Sequence, residues 1–190
     1  MLVNKTLPTM QTSLAGYHNA WYQHGPRLKR ACWYVINALI FNSAFFPFYT
    51  LKVFLLKAFG ARVGKGVFIK PNVNIKYPWF LHIGDHVWIG EKAWIDNLGM
   101  VHIGNNVCLS QGSLLLSGNH NYKKPSFDLV IKDIVVEDGV WIGAGAIVCG
   151  GVICKTHSVL SAGSVTAKDL EPFSIYTGNP AVKTRERIFE

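Results

Sequence analysis

The sequence predicts an all-β core, a parallel β-helix of hexapeptide repeats, behind an N-terminal helical segment. Three observations carry this. An aliphatic residue returns every six positions at Val63, Ile69 and Ile75, at Ile83, Ile89 and Ile95, and at Ile103, Leu109 and Leu115. After an interruption the ladder resumes at Val136, Ile142, Val148, Cys154 and Leu160. Glycine often follows the aliphatic, as in Ile83-Gly84, Ile89-Gly90, Ile103-Gly104 and Ile142-Gly143. Finally, no charged residue occurs from Ala31 to Leu51. A period of six fits neither an amphipathic helix nor a half-buried strand; it marks a hexapeptide β-helix.

Three short strands make a triangular coil of about eighteen residues, with the aliphatic inward and glycine at a tight corner. One coil buries little by itself, so coils must stack. About five are expected, starting near residues 63, 81, 101, 136 and 154, with two-residue insertions before Ile83 and Ile103. The chain then divides into a helical, membrane-associating candidate segment (1–60), the β-helix (61–172) with an excursion loop near 119–133, and a tail (173–190).

At 190 residues, 49% hydrophobic and 16% charged, the chain can bury a sizeable core without disulfides. Cys32, Cys108, Cys149 and Cys154 form no CxxC pair and read as reduced core thiols of a cytosolic protein. The net charge of +8 is uneven: residues 1–84 hold ten Lys or Arg and no acid. A basic face asks for an anionic partner. Nucleic acid fits poorly, because the basic residues are diluted among aromatics and no binding motif appears. A membrane surface or an anionic cofactor fits better.

The uncharged stretch reaches the length of a transmembrane helix, roughly 17–25 residues. Asn37, Asn42, Ser43 and Pro47 interrupt it, and Arg27, Lys29, Arg30, Lys52 and Lys57 flank both ends. The expectation is a helix pair, packed on the first coil or lying in the headgroup region of an anionic membrane, and not a span. Residues 1–25 are polar, and no cleavable signal is expected.

The stretches GPRLKRACWYVINALIF, IKPNVNIKYPWFLHIGDHVWIGEKAWIDNLG, SGNHNY and VWIGAGAIVCGGVI, with AGSV and GNPA after them, carry a resemblance. Together they resemble the hexapeptide acetyltransferases of the colanic acid biosynthesis type, from about Trp21 to Arg187. The resemblance implies a left-handed β-helix, a homotrimer, and acetyl-CoA in the groove between neighbouring β-helices.

The ladder breaks at Ser117-Gly118-Asn119-His120-Asn121-Tyr122. An excursion there costs little closure entropy and can build a site. Transfer to a sugar hydroxyl needs a base, and histidine suits that task. His120 matches the family's catalytic histidine. Relatives usually read Gly-Ser-His-Asp, so Asn121 stands where an acid is expected; an amide cannot stabilise an imidazolium by charge, and slower turnover is the expectation. An alternative places His82, His102 and His120 in one outward column, as in the zinc sites of γ-class carbonic anhydrases. Their spacing does not match that class, and no metal is expected.

Small residues at Gly143, Ala144, Ala162 and Gly163 would let a pantetheine arm lie against backbone groups, with Trp141 flanking. By resemblance, the backbones of Ala144 and Ala162 bind pantetheine, and an amide there holds the thioester oxygen. Lys168 and Arg185 match basic positions that meet the phosphates. The family pattern is broken at Ala167, usually Thr, and at Val182, usually basic, with Lys183 one place on. On the acceptor side, Asp96 and Asn97 lie at the corner after Ile95, and Tyr122 and Trp94 could stack on a pyranose. Asx residues are equally ordinary at turns. The sequence reads as an acetyl-CoA-dependent O-acetyltransferase acting on a sugar hydroxyl of an exopolysaccharide or other cell-surface glycan precursor. The alternatives are a catalytically idle scaffold at the membrane and the metal enzyme.

Overall fold

The computed structural model describes residues 11–190. Residues 1–10, part of the expected helical segment and of the stretch read as lacking a signal, lie outside the described residues. The N-terminal part holds helix α1 (Arg27–Ile36), a wider π turn at Asn37–Phe41, and helix α2 (Tyr49–Ala58). Among the described residues no helix is long and apolar enough to cross a membrane.

From Arg62 the chain winds through about six turns of a solenoid with three parallel faces. The first sheet stacks Arg62–Val63, Leu81–Ile83, Val101–Ile103, Ile134–Val136 and Ile153–Cys154. The second stacks Phe68–Ile69, Trp88–Ile89, Cys108–Leu109, Trp141–Ile142 and Val159–Leu160. The third stacks Asn74–Ile75, Trp94–Asp96, Leu114–Leu116, Ile147–Cys149 and Val165–Thr166. Ser174–Gly178 adds a further parallel strand to the second sheet, and Ala181–Glu186 folds back on it antiparallel. The last residues are therefore a hairpin that continues the stack.

Every ladder aliphatic is buried except Val63, which is half-buried. A second inward row lies two residues before the first, as strand alternation requires: Val67, Val73, Leu81, Val87, Ala93, Val101, Val107, Ile134, Val140, Ala146 and Val152. In the upper coils Ser113, Ser158 and Ser164 take this position. Corner side chains tie coil to coil, since Asp85, Asn105 and Asp138 accept the backbone N–H groups of Lys65, Asp85 and Asn105. A Cβ on Gly143 would sit 2.5 Å from the Ala162 nitrogen. Its smallness therefore serves the closeness of successive coils.

The helices close the N-terminal end of this core. Trp33 donates its indole N–H to the Ile75 carbonyl at 2.8 Å and packs edge-on against Phe41. Lys52, without exposed surface, donates to the Lys70 carbonyl at 2.9 Å, and burial pushes its ammonium pKa down to about 8. After Ser117 the chain leaves the coil: Gly118–His120 pairs antiparallel with Leu129–Ile131, and Lys132 N–H then donates to the Ser117 carbonyl at 3.0 Å. The solenoid resumes at Ile134.

Candidate active site

His120 ends the outgoing strand of this hairpin. Its Nδ1–H donates to the Phe127 carbonyl at 2.9 Å, and its ring stacks on Phe127 with centroids 4.4 Å apart. Phe127 adopts a left-handed φ of 51°, a conformation uncommon outside glycine that turns its carbonyl toward the imidazole. Tyr17, from the N-terminal strap, lies 5.7 Å from the same ring. With Nδ1 as the donor, Nε2 is the second ring nitrogen, the acceptor in a neutral imidazole. Asn121 is directed elsewhere: its Oδ1 accepts Lys123 N–H, and its own N–H bonds the Asp128 carbonyl.

His120 borders an open groove of about 330 Å³, lined also by Leu116, Val130, Lys132, Cys149 and Ala167. Burial raises the Cys149 thiol above its ordinary pKa, keeping it protonated at neutral pH. Tyr122 stands exposed near the tip of the hairpin.

The other expected residues are spread more widely. Trp141 lies on the outer face of the second sheet, above Cys108 and below Val159, and donates to Ser110 Oγ at 2.8 Å. Gly143 and Ala144 form the corner leading into the third sheet, and Ala162 repeats that corner one coil on; Ala144 and Ala162 are exposed while Gly143 is buried. Lys168 follows the last strand of the third sheet, at the edge that also carries His120. Arg185 is exposed on the terminal hairpin, paired with Ile175. Lys183 is held by Glu171 and Glu186, each at 2.8 Å.

Two acceptor expectations change. Asn97 is fully buried, and its amide accepts from Tyr77 N–H and donates to the Tyr77 and Phe80 carbonyls. It staples a turn and faces no groove. Asp96, 8% exposed, lies 3.0 Å from Lys76 Nζ and lines a different cavity, of about 620 Å³, between α1 and the third sheet, where Trp94 also stands. The histidine column is also shorter than expected. His82 and His102 occupy successive rungs, edge to face with Nδ1 atoms 3.2 Å apart, but the next rung is Val135, because His120 belongs to the excursion. Among the described residues no three His, Cys, Asp or Glu side chains converge on a metal position.

The groove beside His120 and the corners at Ala144 and Ala162 thus lie at opposite edges of the third sheet. From the corner at Ala144 to Gly150, beside His120, the strand runs roughly 20 Å. The outer face between them is apolar: Leu114, Ile147 and Val165 form one row, and Leu116, Cys149 and Ala167 the next. Phe127 and Tyr17 escape sequence reading, because a left-handed φ and a tertiary ring contact leave no local signature.

No family model matches the chain. It is 35% identical over 167 residues to the protein assigned as colanic acid biosynthesis acetyltransferase WcaF in Escherichia coli K12, covering 88% of this chain and 92% of that one. It is 29% identical to the galactoside O-acetyltransferase of Escherichia coli K12, over 70% of this chain and 66% of that one. Among solved structures, a hexapeptide-repeat acetyltransferase of Vibrio cholerae complexed with acetyl coenzyme A superposes with a TM-score of 0.80 at 23% identity, covering 93% and 96% of the two chains. A galactoside acetyltransferase in complex with coenzyme A gives 0.75 at 24% identity, over 85% and 82%. The solenoid is therefore the left-handed β-helix of these acyltransferases, and the chain belongs to the WcaF-type colanic acid biosynthesis acetyltransferases.

Proposed function

We propose that the protein transfers an acetyl group from acetyl-CoA to a sugar hydroxyl of a glycan precursor, at sites shared between subunits of a homotrimer. The observation that supports this reading is the His120–Phe127 hydrogen bond, which occupies Nδ1 and leaves Nε2 available to act as the base at the rim of a groove. In the direct reaction Nε2 takes the hydroxyl proton as the oxygen attacks the thioester carbonyl. A C–O bond forms, the C–S bond breaks, and the proton passes from the imidazolium to the departing coenzyme A thiolate. Holding both substrates together supplies the proximity.

The protonated state of Cys149 argues against an acyl-enzyme at the one thiol lining the groove. The pantetheine arm would run along the exposed corners at Ala144 and Ala162 of a neighbouring copy, beside Trp141, where a backbone amide can stabilise the developing oxyanion. Arg185 and Lys168 are the exposed cations for its phosphates, whereas Lys183 is held in ion pairs. Tyr122 is placed to stack on the acceptor ring. Since acetyl-CoA is a cytosolic metabolite, the sites would face the cytoplasm.

The test is coenzyme A release from acetyl-CoA with a panel of free sugars, nucleotide sugars and lipid-linked glycans. Acceptor-dependent release is expected. Failure of acetyl-CoA to bind by calorimetry, together with no release on any acceptor, leaves the scaffold reading in its place.

A further inference from the structure

The N-terminal helices carry a second apolar stripe that the fold does not use. In α1, Trp33 and Ile36 pack inward, and Lys29 lies over the Trp79 ring. Around the helix from these, Leu28, Cys32 and Val35 recur at helical spacing, with Leu39 in the π turn beyond, and all are exposed. The link to α2 adds Phe45, 93% exposed, and Phe48; α2 adds Leu51 and Phe54. A helix of a soluble domain needs one apolar stripe toward its core. A second, separate one marks a surface made for another medium.

Charge identifies that medium. No acid precedes Asp85, while Arg27 and Lys57 are exposed on the same two helices. Apposing this face with its counterpart on a second copy would bring like charges together. An anionic lipid surface satisfies both the aromatic and the basic side chains. At ten residues each, α1 and α2 are too short to span a bilayer and suited to lying in its plane.

We infer that the α1–α2 segment docks the protein on an anionic bilayer surface, its outward side chains among the headgroups and acyl boundary. This stands on the surface alone. Joined to the proposed acetyl transfer, on which that step rests, it favours acceptors held at the membrane over freely diffusing ones.

The experiment is flotation of the full-length protein with vesicles of phosphatidylcholine alone or mixed with phosphatidylglycerol, at rising salt. Binding to the mixed vesicles should exceed binding to the neutral ones and weaken with salt, because exposed charges are screened over about 8 Å at physiological ionic strength. Arg27→Gln with Lys57→Gln should lower partitioning roughly fivefold per residue. Phe45→Ser with Phe54→Ser should abolish it without changing the melting temperature, since both rings are exposed. Should these variants unfold, the lipid and salt dependence of the wild type decides alone. No binding at low salt, equal binding to both vesicle types, or self-association removed by the Phe variants without vesicle binding overturns the inference. None of these readouts depends on acetyl transfer.

Discussion

His120 and Phe127 face each other across the excursion hairpin, ring on ring at an interplanar angle of 8°, with the imidazole N–H bonded to the Phe127 carbonyl. One residue thereby sets both the tautomer and the plane of the imidazole. Removing the base, His120→Ala, should lower kcat by roughly 10²-fold or more. Phe127→Gly, which leaves the carbonyl but frees the backbone, should lower it on the order of tenfold through lost orientation. Acetyl-CoA affinity by calorimetry should hold in both. Wild-type turnover in the alanine variant would remove His120 from the reaction.

Asn121 does not orient the imidazole. Asn121→Asp, which restores the acid usual in the family, should therefore change kcat by less than about threefold, because the Nδ1 proton already has a partner. A rise of an order of magnitude would show that a charge beside the base is what this enzyme lacks.

If the sites are shared between subunits, two inactive variants should complement. Co-expressed His120→Ala and Ala162→Trp chains should recover about a quarter of wild-type activity, the fraction of interfaces that randomly mixed cyclic trimers assemble from two intact halves. Light scattering should report a trimer. A monomer with full activity would exclude the shared site.

Gly143→Ala should destabilise the fold by about 1–3 kcal/mol, since the added carbon meets backbone and not a movable side chain. The denaturant midpoint measures this. A neutral result would mean that the coils can separate at this corner.

Lys52 gives stability a pH dependence. Its folded pKa is about 8 against 10.5 for the ordinary group, so the folded state holds fewer protons between those values and stability should rise as pH climbs through the window. Lys52→Met should flatten that rise while leaving the midpoint at pH 7 close to wild type, because an apolar replacement removes the cost of a buried charge. Persistence of the slope in the variant would assign it to another group.

Much of the solenoid was legible because burial repeats at a fixed interval, so Ile69 to Leu160 announce themselves. The second inward row was not read, because Ala93, Ala146, Ser113, Ser158 and Ser164 do not stand out as hydrophobic. Asn97 and Asp96 show a sharper boundary: spacing puts both at one corner, but whether a corner side chain turns in or out depends on the neighbouring coil. The histidine column failed for a related reason. Counting eighteen residues from His102 to His120 assumes the chain is still on the coil, and it has left at Ser117. His120 stands out in the sequence through that same interruption.

The bond from Lys132 N–H to the Ser117 carbonyl brings together the two ends of the fourteen residues between them, where the coil resumes. Loop exchange at these two anchor points should therefore be an easy route of divergence: relatives could trade hairpins of different length, and with them acceptor preference, while the inner rows stay unaltered. The same joint is the natural graft point for an engineer, who would transplant another hairpin here together with its contacts to Leu98, Gly99 and the Ser13–Tyr17 strap.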